Sequence, residues 1–211
     1  MLALGRINPP WLFEDSGIHK YNGKYYYSYC TNFSSGHPSD IPTGAIGYMV
    51  SDNPMGPFTF VKTILPNPAT FFGVGGNNHH AIFEFNNQWY VTYHAQTVAK
   101  AMAESGMYPQ MGGQPHGYRN TNINKVSFDA NGVINPITGD YAGVPQLQNL
   151  NPYTRVEAET IGWNGGISTE TTTQPGGMVS SINLAVSSIN AGDWTAVSKV
   201  DYGSTGAGTF K

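Results

Sequence analysis

The sequence predicts an all-β protein with two parts, a partial β-propeller over residues 1–150 and a tail of different character over 151–211. Three observations support this prediction. The chain has 26 glycines and only 11% charged residues, a composition typical of turn-rich β proteins. Long runs with helical periodicity are missing, and one strand–turn–strand pattern occurs twice. The hydrophobic content of 39%, a third of it aromatic at 13% of the chain, is enough to build a core.

The repeated pattern is a β-hairpin with an asparagine-containing turn. Residues 21–29 read Tyr-Asn-Gly-Lys-Tyr-Tyr-Tyr-Ser-Tyr, and residues 85–93 read Phe-Asn-Asn-Gln-Trp-Tyr-Val-Thr-Tyr. Asn-Gly between two strand-like segments favours a two-residue turn, because both turn positions need a positive φ. Hairpins that recur at this spacing are typical of propeller blades. About two to two and a half blades fit before residue 150, and a propeller needs at least about four.

The segments between and after the hairpins continue this pattern. Residues 44–61 and 122–134 each predict strand, turn, strand, with Pro-Met-Gly-Pro and Asp-Ala-Asn-Gly as the turns. The stretch from Val98 to His116 is too long for a hairpin turn. We predict that it forms an insertion loop over the site and not a helix-rich domain.

Charge and composition exclude several kinds of partner. The formal net charge is −3 and no cluster of Lys and Arg is present, which argues against nucleic acids and anionic membranes. No apolar run approaches the ~20 residues that span a bilayer. The single cysteine, Cys30, excludes an internal disulfide and is expected to be a small buried residue. Neutral sugars remain suitable ligands, and a monomer is expected.

Two adjacent acids, Glu14 and Asp15, stand just before the first hairpin in an aromatic setting. Burial beside Trp11 and Phe13 would raise the pKa of a carboxyl group, as a general acid working near neutral pH requires. Glycoside hydrolysis is the reaction class that most needs such a group. The alternative is an ordinary solvated Glu-Asp turn.

Further candidate residues occupy the corresponding part of the second repeat. Asn77-Asn78-His79-His80 stands where Glu14-Asp15 stands in the first, and equivalent ends of blades converge on the propeller axis. A histidine there can bind an ion, a water or a substrate, or be purely structural. Arg119 can donate paired hydrogen bonds to sugar hydroxyls, or it can be a surface residue at a strand end.

At this point the residues resemble a known family. Four segments are similar, in the same order, to the second half of the catalytic domain of glycoside hydrolase family 43. They are Phe13–Ser16, Lys20–Tyr29, Gly76–Phe83 and Gly117–Arg119, and the resemblance covers about residues 5–150. The subgroup of arabinoxylan arabinofuranohydrolases looks most similar. The resemblance implies a five-bladed propeller and an inverting hydrolysis of α-L-arabinofuranosyl branches on arabinoxylan.

The resemblance also implies roles for particular residues. Glu14 matches the general acid, whereas Asp15 falls where the family commonly has a small residue. His79 matches a histidine that helps to hold an axial calcium ion, and His80 is the neighbouring possibility and a candidate substrate ligand. Arg119 matches an arginine that contacts the sugar, and Phe33 is placed in the same pocket, with core packing as its alternative.

The catalytic base and the aspartate that adjusts the acid belong to earlier blades of the family. Asp40, Asp52 and Asp129 stand in loops or turns that fit neither role. The chain is therefore expected to be a fragment that is inactive alone. No secretory signal is visible in the first ten residues, but a polysaccharide-degrading enzyme of this family is expected to be secreted.

The tail differs in character. Arg155-Val-Glu157-Ala-Glu159 predicts a strand with both glutamates on one face, either solvated or binding a structural calcium. Four segments of the tail resemble the first half of a family 6 carbohydrate-binding module, a β-sandwich: Glu157–Glu159, Gly165–Glu170, Gly192–Trp194 and Val200–Gly203. Trp194 is expected in the core of this sandwich, and the alternative is that Trp194 and Tyr202 belong to a sugar-binding face.

Two alternatives to the arabinofuranosidase stay open. One is a non-catalytic protein that only binds xylan, and the other is a β-xylosidase or endo-arabinanase of the same propeller family.

Overall fold

The computed structural model describes residues 7–76, 78–106, 119–173 and 183–206. The chain divides into two compact units, Met1–Val144 and Pro145–Lys211. The described residues form an all-β structure with two short helices, in the order β1 (Leu12–Tyr21), β2 (Lys24–Thr31), β3 (Ile46–Ser51), β4 (Thr59–Leu65), α1 (Ala69–Phe72), β5 (His80–Phe85), β6 (Gln88–Ala95), α2 (Thr97–Glu104), β7 (Asn120–Val126), β8 (Trp163–Gly165), β9 (Ser168–Thr172), β10 (Asn183–Ser187) and β11 (Trp194–Ala196). None of the described helices is long and apolar enough to cross a membrane.

Unit 1 contains two antiparallel sheets in which each strand pairs with the next one along the chain. One sheet has the order β1-β2-β3-β4 and the other β5-β6-β7. The two predicted hairpins are confirmed, with Tyr21 opposite Lys24 and Phe85 opposite Gln88. Asn22 has a φ of 45° and Asn86 a φ of 50°, as the tight turns require. The first strands of the two sheets, β1 and β5, lie against each other.

Aromatic side chains fill the core of unit 1. The side chains of Tyr26, Tyr48 and Tyr93 are almost fully buried, and Cys30 is buried as predicted. Tyr26 donates its hydroxyl to the carbonyl of Gly132 at 2.7 Å. The Tyr21 ring stacks on Phe128 at 3.6 Å between centroids. Tyrosine is suitable here because its ring buries a large apolar area while its hydroxyl finds a partner.

Two buried tyrosines of β6 differ in whether the hydroxyl is satisfied. Tyr93 donates to Oδ1 of Asn124 at 2.8 Å, whereas the Tyr90 hydroxyl is buried with no partner in the described part of the chain. We expect Tyr93→Phe to lower the free energy of unfolding by about 1–3 kcal/mol, because it leaves the buried amide unpaired. Tyr90→Phe should be neutral or stabilising. Urea unfolding of both variants tests this, and equal losses would contradict it.

The stretch predicted to be an insertion loop begins instead with a helix. Thr97–Glu104 form α2, so the prediction is wrong for the residues from Val98 to Glu104. Alanine, lysine, methionine and glutamate favour a helix, and Lys100 fixes it by donating Nζ to the carbonyl of Phe72 at 2.9 Å. The rest of the stretch, from residue 107 to His116, lies outside the described residues. After β7, the predicted second strand is reduced to a single bridge between Phe128 and Ile134.

Unit 2 contains two short antiparallel pairs, β9 with β10 and β8 with β11. The strand predicted at 155–159 is not present. Instead, Thr160 donates its amide to the carbonyl of Glu157 at 3.0 Å and closes a turn. The core position predicted for Trp194 is also wrong, because its side chain is 53% exposed. Glycine at 165 leaves room for this indole beside β8.

Candidate active site

The backbone of β1 is irregular where it carries the two acids. The pairing of β1 with β2 shifts between Leu12 and Glu14 and again between Glu14 and Ser16. Asp15 has a φ of 57°, a left-handed conformation that asparagine and aspartate tolerate better than most residues. In a regular strand two consecutive side chains point to opposite faces. These shifts and the turned Asp15 backbone let both carboxylates reach the start of β5.

Glu14 faces the first of the two adjacent histidines. Oε1 of Glu14 lies 2.9 Å from Nε2 of His79, and the two side chains are 37% and 46% exposed. The His94 ring is 5.2 Å from the His79 ring. A shallow cavity of about 240 Å³ is bordered by His79, His94 and Thr121. The predicted acid is therefore accessible and lies beside a second proton-carrying group.

Asp15 faces the second histidine, and this contact is buried. Oδ2 of Asp15 accepts a hydrogen bond from the His80 amide at 2.7 Å and also contacts Nδ1 of the His80 ring. Nε2 of His80 lies 2.7 Å from the hydroxyl of Ser28. Burial raises the pKa of the Asp15 carboxyl, but hydrogen bonds and charge from His80, with a smaller effect of His79, outweigh it and hold the pKa below its ordinary value.

This arrangement corrects the prediction for His80. Its side chain is fully buried and both ring nitrogens have partners, so it does not present a nitrogen to a substrate. The resemblance to family 43 gives Asp15 no catalytic role, yet Asp15 holds this histidine. The only signal in the sequence was the match of two consecutive acids with two consecutive histidines.

Phe33, for which a place in the sugar pocket and core packing are the two alternatives, is exposed and is not part of the core. Its ring packs edge-on against Phe13, with centroids 5.6 Å apart, and 48% of its side chain is exposed. It borders a mainly apolar cavity of about 570 Å³, together with Pro42, Pro66 and Gly75. An exposed aromatic face that borders a cavity is suited to stacking against a sugar ring.

Arg119 stands immediately before β7 and is exposed. The second residue of β7, Thr121, pairs with His94 of β6 and borders the cavity at His79. The arginine therefore lies near the end of the second sheet that carries the histidines.

Glu157 and Glu159 belong to unit 2. Both are described, but they do not lie on a common strand, and Glu157 contacts Nη2 of Arg155 at 3.0 Å. The described residues contain no group of three or more His, Cys, Asp or Glu side chains placed to hold a metal ion. The predicted calcium sites at His79 and at these glutamates therefore gain no support from the geometry.

Known proteins match this chain along almost its whole length. An arabinoxylan arabinofuranohydrolase of Paenibacillus polymyxa is 59% identical over 97% of this chain and 31% of its own length. A protein of the same name from Bacillus subtilis (strain 168) is 56% identical over 97% of this chain and 38% of its own length. A crystal structure of a glycoside hydrolase family 43 arabinoxylan arabinofuranohydrolase from Bacillus subtilis, in complex with cellotetraose, matches with a TM-score of 0.80 at 56% identity. The match covers 95% of this chain and 39% of the chain in that crystal structure.

The chain is therefore similar, along almost its whole length, to arabinoxylan arabinofuranohydrolases, one of them a solved glycoside hydrolase family 43 structure. It spans about a third of the length of the curated relatives it matches. The family described as carbohydrate binding module (family 6) matches residues 157–211. Both resemblances found in the sequence are thereby confirmed.

Proposed function

We propose that this chain supplies the general-acid side of the active site of an arabinoxylan arabinofuranohydrolase. The observation that carries the proposal is the placement of Glu14, whose accessible carboxylate lies on an irregular edge strand beside His79. Arabinoxylan arabinofuranohydrolases that are 56–59% identical to the chain support the choice of substrate. The substrate is a plant cell-wall polysaccharide with α-L-arabinofuranosyl branches.

In the proposed reaction Glu14 donates a proton to the glycosidic oxygen as the bond to the arabinose breaks. Inverting hydrolysis also needs a carboxylate across the sugar to activate water. Among the described carboxylates, Asp15 is held by His80 and Asp52 pairs with Lys24 at the surface. Because the chain spans about a third of the length of its relatives, the base is proposed to come from another part of such a protein, and the chain alone is expected to be inactive.

The finer architecture follows from the same proposal. The meanders β1–β4 and β5–β7 are proposed to be two blades of a five-bladed propeller, with β1 and β5 as their axial strands. Unit 2 is proposed to be the first part of a β-sandwich that binds sugar, supported by the match to the family 6 module. Antiparallel meanders whose first strands lie together are what a propeller requires.

Sugar recognition is assigned to Phe33 and Arg119. The exposed Phe33 ring would stack on a sugar face, and Arg119 would hydrogen-bond hydroxyl groups. The net charge of −3 is compatible with a neutral polysaccharide. Because the substrate is a polymer found in plant cell walls, the protein is proposed to be secreted, and it is proposed to act as a monomer.

A calcium ion remains a prediction and has no part in this mechanism. Calcium takes six to eight oxygen ligands, whereas His79 offers a ring nitrogen that already lies 2.9 Å from Glu14. The described residues do not themselves fit the ion.

The proposal is tested with a hybrid in which this chain replaces the matching segment of the Paenibacillus polymyxa arabinoxylan arabinofuranohydrolase. We expect the folded hybrid to release arabinose from arabinoxylan, and the 211-residue chain alone to release none. A folded hybrid that binds arabinoxylan without releasing arabinose would overturn the proposal in favour of a non-catalytic binding protein. Release of xylose, or cleavage within an arabinan chain, would overturn it in favour of the two related activities.

A further inference from the structure

Two consecutive acids of β1 contact two consecutive histidines at the start of β5. Glu14 contacts His79 at the surface, and Asp15 contacts His80 in the interior. The side chains of Glu14 and His79 are about half exposed. In contrast, the Asp15 side chain is only 13% exposed and the His80 side chain is fully buried. Because the acids are neighbours in the chain, the position of the buried carboxylate limits where the exposed one can lie.

The buried contact extends into a network of three side chains. Asp15 accepts from both the amide and the ring of His80, and the ring contacts the Ser28 hydroxyl at 2.7 Å. The same order of groups occurs in serine hydrolases. Here it is not a nucleophile system, because Ser28 is only 1% exposed and the His80 side chain is fully buried, so no substrate reaches the hydroxyl.

The network instead joins three strands at the point where β1 is irregular. Ser28 lies on β2, Asp15 on β1 and His80 on β5. Asp15 is the residue with a φ of 57°, and an L residue in this conformation is strained unless its surroundings hold it. The hydrogen bonds to His80 supply that support. Without them the backbone is free to relax towards extended geometry, which would turn the neighbouring Glu14 away from His79.

We propose that Asp15 is a positioning residue for Glu14, acting through its buried contact with His80. This inference rests on the proposed function, in which Glu14 is the general acid. A carboxyl displaced by about 1 Å from the leaving oxygen loses roughly 10²-fold in rate. The loss should depend on the leaving group, because an aryl leaving group needs no proton, whereas a sugar hydroxyl does.

The experiment compares two substrates in the hybrid protein, an arabinose-substituted xylo-oligosaccharide and a nitrophenyl arabinofuranoside. We expect Asp15→Ala to lower kcat on the oligosaccharide by roughly 10–100-fold with KM little changed, and to lower kcat on the nitrophenyl substrate less than about threefold. Asp15→Asn retains one acceptor oxygen and should restore part of the loss. Asp52→Asn, the same change at a surface ion pair, should leave both rates unchanged.

A merely structural role would reduce the fraction of folded enzyme and lower both rates by the same factor, and this outcome would overturn the inference. Glu14→Gln in the same hybrid separates the two claims. If Glu14→Gln shows the leaving-group dependence and Asp15→Ala does not, the positioning role fails and the proposed function stands. If Glu14→Gln shows no such dependence, the proposed function fails.

Should Asp15→Ala not fold, Ser28→Ala tests the far end of the network. It removes only a hydroxyl, and we expect a smaller loss that is again confined to the oligosaccharide. Equal rates of Ser28→Ala and the unchanged hybrid on both substrates, with Asp15→Ala unfolded, would overturn the inference.

Discussion

Replacing Glu14 by glutamine in the hybrid protein should slow arabinose release from arabinoxylan by roughly 10²–10⁴-fold, the contribution typical of a general acid. Glutamine has almost the same shape and can still contact His79, but it has no proton to donate. The rate on a nitrophenyl arabinofuranoside should fall far less, because that leaving group departs as an anion without protonation. Initial rates of both reactions provide the measurement.

Glu84→Gln is the matched control for this substitution. Glu84 is an exposed residue of β5, so the same chemical change is made in the neighbouring sheet away from His79. We expect both rates to remain unchanged. A Glu14→Gln variant that hydrolyses arabinoxylan at the unchanged rate would remove Glu14 from the role of acid.

Acid should destabilise unit 1 through His19, a residue outside the proposed chemistry. Its ring stacks on Tyr26 at 5.0 Å and lies 5.1 Å from Trp89. Its Nε2 is buried with no partner in the part of the chain that the structure describes. Burial, with a smaller effect of the charge of His80, lowers the pKa of His19 from 6.5 to about 4.

The direction of the pH effect follows from this lowered pKa. The unfolded chain binds a proton at His19 below pH 6.5, whereas the folded chain does so only below about pH 4. The contribution of His19 to the free energy of unfolding is therefore constant above pH 6.5, and it falls as the pH drops from 6.5 to about 4. The free energy of unfolding should fall by about 3 kcal/mol over this range, at about 1.4 kcal/mol per pH unit.

Urea unfolding at pH 7 and at pH 4.5 measures this loss. His19→Phe keeps an aromatic ring between Tyr26 and Trp89 and has no group that titrates, so most of the difference between the two pH values should disappear. An unchanged pH dependence in His19→Phe would show that other groups cause the acid instability.

The hairpins of unit 1 were predictable because their signals are local. Asn22-Gly23 and Asn86-Asn87 occupy turns that need a positive φ, and alternating aromatics flank them. The eight-residue helix α2 was missed because so short a segment has a weak pattern, and its contact with Phe72 is remote in sequence. The prediction of a strand at Glu157 was wrong, because the backbone there forms a local turn that is closed by the Thr160 amide and does not pair with another strand.

The candidate active site was predictable only in part, because some of its contacts join residues that are remote in sequence. Glu14 and His79 stand at corresponding ends of two repeats, so the sequence indicated their proximity. The role of Asp15 depended on shifts in the pairing of β1 and on a single left-handed residue. A strand pattern with a period of two places Asp15 on the face opposite Glu14. Contacts made at such an irregularity do not follow from the pattern.

The most direct test of the central claim is a crystal structure of the Glu14→Gln hybrid with a bound arabinose-substituted xylo-oligosaccharide. We predict that the Gln side chain at position 14 lies within about 3 Å of the glycosidic oxygen of the arabinosyl branch, the reach of a general acid. A glycosidic oxygen that lies against another carboxyl group, with residue 14 out of hydrogen-bond reach, would contradict the account.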